Sequence, residues 1–441
     1  MHSTPLPPST PKTSLWSNRN FVLLWIGQAI SLLGDAIFDL TLIVWIAAVL
    51  AKQQPWAPLA VSGVLVAATL PVILIGPLAG VFVDRWDKRQ TMLWMDLLRA
   101  LLVASLLLVT GAVRFPFFAG GRPSLPVQLG AIYSVVFFAS ICAQFFQPAR
   151  LALMGDVVEE AQRAQASGLG QVTQSLASIL GPPLAAPLLF GFGVQWALLI
   201  NALSFGLSFL VLAAVQAPPS ARSVEPGHGG TLGQEFRQGL RFAFSHRVIR
   251  ALIIASFITL LGAGAINALN VFFFTQNLHA SVTLVGLMDA VFGIGIIVGA
   301  LLAGAFALRI GLERTLSWTV LAAGIVFLIL ARMTNLGAAL GLIALLGVFQ
   351  AGISVSIGPL VLKVTPRFLV GRVAAVLTPS STLASLVAVV LAGYLASTVL
   401  DRLHVTVLGM TVGPIDTIFT GAGLLIVLAG LYLLRNLGQA T

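Results

Sequence analysis

Between residues 21 and 435 the chain is a succession of about a dozen long apolar segments. Each approaches the ~20 residues that an α-helix needs to cross a bilayer. In lipid every backbone N–H and C=O must find a partner inside the protein, and helices satisfy that demand within each segment. Hydrophobic residues fill 58% of the 441 positions and charged residues only 9%. That is too little charge to cover a water-soluble surface of this size. The formal charge of +10 is spread over short loops and forms no patch, which argues against nucleic acid as a partner.

The segments fall at about 21–49, 58–83, 91–113, 127–148, 165–191, 194–216, 248–276, 282–307, 315–332, 336–362, 372–399 and 413–435 and are numbered spans 1 to 12. Eighteen of the 24 Lys and Arg residues then lie in the N-terminal tail, the even-numbered loops and the C-terminal tail, while the odd-numbered loops hold five. This bias predicts that both termini are cytoplasmic. Residues 1–20, with Pro5, Pro7, Pro8 and Pro11, read as a disordered cytoplasmic tail without the apolar core of a secretory signal. Residues 217–247 read as a flexible linker followed by an amphipathic helix on the membrane face, built on Leu232, Phe236, Leu240, Phe242 and Phe244. The expected fold is an all-α polytopic membrane protein. Its twelve transmembrane helices form two pseudo-symmetric six-helix bundles, 21–216 and 248–435, and a short tail covers 436–441. The single Cys142 offers no disulfide framework.

The loop after span 2 reads Gly80-Val81-Phe82-Val83-Asp84-Arg85-Trp86-Asp87-Lys88-Arg89, a dense charge knot between two apolar helices. The loop after span 8, 224 positions on, repeats Gly304, Phe306 and Arg309 but places Leu308 where the first half has Asp84. Duplicated halves around a central site are a design of secondary transporters. The first loop resembles the signature of the major facilitator superfamily at Gly80, Asp84, Arg85, Lys88 and Arg89, and departs from it at Phe82 and Asp87. The form Asp-Arg-Trp-Asp-Lys-Arg is similar to the macrolide-efflux and enterobactin-exporter branch. So are the stretches from Asn20 to Asp35, Asp96 to Arg99 and Gln147 to Arg150. The resemblance implies that Gly80, Asp84, Arg85, Lys88 and Arg89 form a cytoplasmic gate latch, with Gly80 permitting close helix approach; a purely topogenic role for the basic residues is the alternative. In span 5 the stretch from Ala177 through Gly181 and Pro182 to Pro187 resembles the antiporter motif of drug exporters, although ordinary small-residue packing would use the same residues.

Ionisable side chains inside spans are costly and usually functional. Asp35 and Asp39 lie one turn apart in span 1 and share a face with Gln28 and Ser31. Asp35 falls ~20 Å from the start of the span, near mid-bilayer. All five histidines lie in loops or tails, so a transported proton would ride on a carboxylate. Asp35 and Asp39 are the candidates for proton coupling, against a purely structural role in hydrogen bonding. Asp96 and Arg99 are spaced to pair on span 3, either as a link to the latch loop or as a static ion pair. Asp289, ~12 Å from the outer end of span 8, is a candidate proton or substrate contact to which the resemblance gives no role, and Asp416 reads as interfacial. The resemblance implies that spans 1, 4, 7 and 10 line a central cavity. The candidate wall then comprises Gln28, Ser31, Tyr133, Phe137, Gln144, Asn267, Asn270, Asp289, Phe349, Gln350 and Ser354, although any one of these could be helix-packing material. Asn267 and Asn270 follow Gly262 and Gly264, which are expected to be mobile.

These features predict a secondary active transporter, working alone as a monomer in the cell membrane, that exports hydrophobic or amphipathic small molecules of drug, macrolide or siderophore type against inward proton flow. A proton-coupled importer or uniporter on the same fold is the alternative. A non-transporting scaffold or membrane enzyme is more remote, because no catalytic or metal-ligand cluster of His, Asp and Cys is seen. No phosphate-binding loop of an ATPase appears, and no cofactor or metal is expected.

Overall fold

The computed structural model describes residues 14–83, 85–110, 123–216, 240–366, 369–401, 403, 405–407 and 410–437. Asp84, most of the 217–247 linker and most of the N-terminal tail lie outside these residues. Among the described residues, twelve helices are long and apolar enough to cross a membrane. Span 1 is Arg19–Trp45, extended by a π-helical turn at Ile46–Leu50. Span 2 is made of two helices, Ala57–Leu74 and Gly76–Val83. Spans 3 to 6 are Lys88–Ser105, Leu125–Val157, Arg163–Phe192 and Val194–Ala213. Span 7 is Arg247–Phe272 with a π-helical turn at Phe273–Asn277. Spans 8 to 10 are Val285–Ile310, Leu312–Leu330 and Leu336–Val364. Span 11 is Val370–Tyr394 with a π-helical turn at Leu395–Val399, and span 12 is Pro414–Leu437. The one described sheet is a hairpin before span 12, pairing Val405–Val407 with Met410–Val412.

The helix ends follow local chemistry. Asn18 caps span 1 by accepting from the Phe21 N–H, Asp87 caps span 3 by accepting from Gln90, and Asn335 caps span 10 by accepting from Ala338. Gly193 and Gly311 adopt φ of 96° and 87°, which lets single-residue connectors join spans 5 to 6 and 8 to 9. Span 4 runs past Pro148 to Val157, beyond the boundary expected from sequence. The proline removes one N–H from the ladder without ending a helix this long. Asp416 accepts hydrogen bonds from the Asn277 side chain and the Gly413 N–H at 2.8 Å, so it ties span 12 to the end of span 7.

Spans 1 to 6 pack on one another, as do spans 7 to 12. Gly262 and Gly264, expected to be mobile, are packing residues. A Cβ on them would lie 2.7 Å from the Ala422 carbonyl and 2.5 Å from Ala388 Cβ respectively. Small residues let membrane helices approach closely where no hydrophobic effect drives them together.

The two bundles touch through spans 2 and 11 and through spans 5 and 8. The detailed contacts sit toward the end remote from the chain termini. Ser62 Oγ donates to the Val389 carbonyl at 3.0 Å, and the Leu59 N–H donates to Ser397 Oγ at 3.1 Å. The latter N–H belongs to the first turn of span 2 and has no helical acceptor of its own. Gly393 rests on Ser62, and Gly286 on the Pro182 carbonyl. At the terminus-bearing end the bundles stand apart: a Cβ on Gly80 or on its counterpart Gly304 would meet nothing within 4 Å, and Leu308 is 90% exposed.

Candidate functional site

Between the bundles lies a chamber of about 800 Å³ whose wall comes from spans 1, 2, 4, 5, 7 and 8. Span 1 contributes Asp35 and Asp39, span 7 Asn267 and Asn270, and span 8 Asp289. Asp39 is exposed to the chamber, and Asp35 is half-buried behind it. Asp35 faces the Asn201 side chain and lies within the field of Arg99 and Asp96. Span 6 reaches this point because Gly34 of span 1 has no side chain; a Cβ there would lie 2.3 Å from Ser204 Oγ and 2.8 Å from Asn201 Oδ1. Ser204 in turn donates to Asn201 Oδ1 at 3.2 Å.

Beneath Asp35 sits a buried ion pair. Asp96, fully buried, accepts from Arg99 through Oδ1 and from Ser208 Oγ at 2.7 Å through Oδ2. The Arg99 guanidinium lies between two rings, 4.4 Å from the centroid of Phe146 and 4.3 Å from that of Phe205, an arrangement that favours a cation. The pair therefore joins spans 3, 4 and 6 under the proton-coupling candidate. Removing one partner of a buried pair strands the other charge, so Asp96→Ala is expected to destabilise the fold by ~3–5 kcal/mol. The check is the melting temperature in detergent. Asp96→Leu with Arg99→Met should recover most of the loss, and a single variant that melts like the unmodified protein would contradict it.

Span 5 crosses span 1 at Asp35 and Asp39. A Cβ on Gly181 would lie 2.5 Å from Ala36 Cβ, and Ala36 stands between Asp35 and Asp39. On its other side Pro182 meets Gly286 of the second bundle. The three prolines at 182, 183 and 187 deprive the carbonyls of Ser178, Ile179 and Pro183 of their helical donors. Gly181 and Pro182 thus lie where a helix of the first bundle meets both span 1 and the opposite bundle.

A profile described as transmembrane secretion effector matches residues 11–420. The chain belongs to this major facilitator family. The transporter is therefore a multi-pass protein of the cell membrane that moves small molecules, and not an enzyme. It is 27% identical over 357 residues to the multidrug efflux pump Tap of Mycobacterium tuberculosis, covering 80% of this chain and 81% of Tap. It is 25% identical over 286 residues to macrolide efflux protein A of Streptococcus pyogenes, covering 65% of this chain and 66% of that protein. Among solved structures, a bacterial homologue of the iron transporter ferroportin in its inward-facing state aligns with a TM-score of 0.74 at 17% identity, covering 96% of this chain and 100% of that one. A D-xylose–proton symporter aligns at 0.67 and 14% identity, covering 95% and 97%.

Other residues singled out from the sequence lie elsewhere in the transporter. Gln28 lines a small separate pocket with Arg150, Thr173 and Trp25, and Ser31 is buried. Tyr133 donates to the Ala60 carbonyl at 2.9 Å and faces a groove lined by residues of spans 2, 4 and 11. Phe137 meets Phe138 edge-on and Gln144 donates to the Ser140 carbonyl at 3.3 Å, both within span 4, and neither is in the chamber wall. Phe349, Gln350 and Ser354 of span 10 fall outside the chamber wall, because span 10 packs on spans 8 and 9. Of the residues in the loop after span 2, Lys88 pairs with Asp156 of span 4 at 3.5 Å, and Arg89 donates to the Leu212 carbonyl at the end of span 6 at 3.2 Å. Arg85 is exposed. Gly80 makes no close helix approach, because the bundles are parted at that end. The wall also contains Gln171, Gln174, Ser175 and Ser178 of span 5, which sequence reasoning missed. Their spacing of three and four marks one helix face and was readable.

Proposed function

We propose that this transporter exports hydrophobic or amphipathic small molecules in exchange for protons, by alternating access of the central chamber. The observation that carries the reading is the position of Asp35 and Asp39: two carboxylates one turn apart open onto a chamber large enough for a drug-sized ligand. Asp35 is the main protonation site and contacts a positively charged part of the substrate; Asp39 is its partner. The basic residues favour cytoplasmic termini, so the open end faces the cytoplasm and substrate loads from there. The lengths shared with two efflux proteins support export. Gly80, Asp84, Arg85, Lys88 and Arg89 latch the cytoplasmic end when it closes. In this state Lys88 and Arg89 bind within their own bundle, ready for that role. The transporter acts as a monomer.

Inverted membrane vesicles test the direction. With the interior acidified, a fluorescent amphipathic dye is expected to accumulate, and collapsing the pH gradient should release it. Accumulation only under the opposite gradient would identify an importer, and accumulation indifferent to the gradient a uniporter.

A further inference from the structure

The chamber wall has a chemical bias beyond its first-bundle carboxylates. Its described lining contains Asp35, Asp39 and Asp289, amides and hydroxyls, but no Lys, Arg or His. Asp289 is the acidic group that the second bundle contributes. The same wall includes Asn270 of span 7, whose side-chain Oδ1 is buried with no hydrogen-bond donor among the described residues. An acceptor left bare in this way has its hydrogen-bonding capacity unused, and burial without a donor is unfavourable. Asp289 also occupies a particular place in the helix contacts. Gly286 and Gly293 lie on either side of it in span 8; a Cβ on the first would sit 2.0 Å from the Pro182 carbonyl, and on the second 2.3 Å from Ile179 Cγ1. Asp289 is therefore held where spans 5 and 8 cross. The Ser178 and Ile179 carbonyls, which lack helical donors, belong to the same stretch of span 5.

We propose that Asp289 and Asn270 form a second-bundle subsite for the cationic group of the substrate, distinct from the proton-carrying pair on span 1. This deepens the export reading and rests on it. Carboxylate, amide oxygen and backbone carbonyls are all acceptors, and together they suit an organic ammonium or phosphonium rather than an anion. Separating the sites has a functional consequence. The cation reaches Asp35 as well as Asp289, so when a proton displaces it from Asp35 it is still held by the opposite bundle. The subsite also disfavours anionic cargo, including a siderophore carrying net negative charge.

The experiment is equilibrium binding to the purified full-length protein with two probes: tetraphenylphosphonium, whose charge does not titrate, and a neutral amphiphile of similar size. Asp289→Asn is expected to weaken phosphonium binding about 10-fold or more and to leave neutral-probe binding unchanged. Asp289→Glu should retain phosphonium binding. Unchanged neutral-probe binding shows that the variant is folded. Equal weakening of both probes, unchanged phosphonium affinity in Asp289→Asn, or absence of phosphonium binding by the unmodified protein would each overturn the subsite. Proton-linked flux in vesicles is a separate measurement. Its failure would remove the antiport reading and leave the two-probe comparison standing.

Discussion

Asp35→Asn is expected to reduce proton-driven efflux to the level of vesicles lacking the transporter, with the protein still inserted in the membrane. Asparagine keeps the shape of the side chain and its contact with Asn201 but cannot take up or release a proton. Asp35 is the better candidate of the pair because it communicates with the helices around it. It lies within the field of Arg99 and Asp96 and faces span 6 through Asn201, whereas Asp39 is exposed to the chamber. A change of charge at Asp35 is thus felt by spans 3 and 6, which carry the buried ion pair. Asp39→Asn should lower the flux only in part. Exchange of a neutral amphiphile down its own gradient, with no pH difference, should survive in Asp35→Asn, since on this reading alternation itself needs no proton on that residue. Full proton-driven flux in Asp35→Asn would move the coupling site to another carboxylate.

Gly286→Val is expected to open the sealed end. A side chain there meets the Pro182 carbonyl of the opposite bundle at 2.0 Å, and backbone cannot move aside as a flexible side chain can. Overpacking of this kind costs ~1–3 kcal/mol. It falls on the state in which spans 5 and 8 are in contact, so the balance between states shifts by about 5- to 150-fold. The readout is the labelling rate of Ser62→Cys, placed at the same seam, by a membrane-impermeant maleimide added from outside. Gly304→Val is the control, because a Cβ there meets no atom within 4 Å. It should leave the labelling rate unchanged. Equal rates in the two variants would show that the span 5–8 contact does not govern the seal.

The twelve spans were legible because lipid leaves a helix no alternative for its backbone, and a long apolar run has one reading in that solvent. Asp35, Asp39, Asn267, Asn270 and Asp289 were legible for a related reason: polar groups are tolerated at that depth where they meet water or one another. The errors came from depth along a helix. Gln28 and Ser31 share the face of Asp35, yet nearer the start of span 1 Gln28 lies in a separate pocket with Arg150 and Thr173 of spans 4 and 5, and Ser31 is buried. Periodicity gives the direction of a side chain but not what stands opposite it at a given height. Span 10 failed similarly, since its Phe349, Gln350 and Ser354 could be placed only by knowing which helices span 10 packs on. Gly80 and Gly304 repeat each other in the sequence, but that repeat does not say how far apart their helices stand. Asp84, the acid on which the latch resemblance turns, lies outside the described residues.

The seam between the bundles contains two described side-chain hydrogen bonds, from Ser62 and to Ser397, set among glycine-to-backbone contacts. Net of what water would offer, each such bond is worth only ~0.5–1.5 kcal/mol. On the alternating-access reading proposed above, bonds this weak add little to the packing that holds the seam closed, and altering those two hydroxyl contacts by mutation would adjust how long the transporter dwells on each side of the membrane.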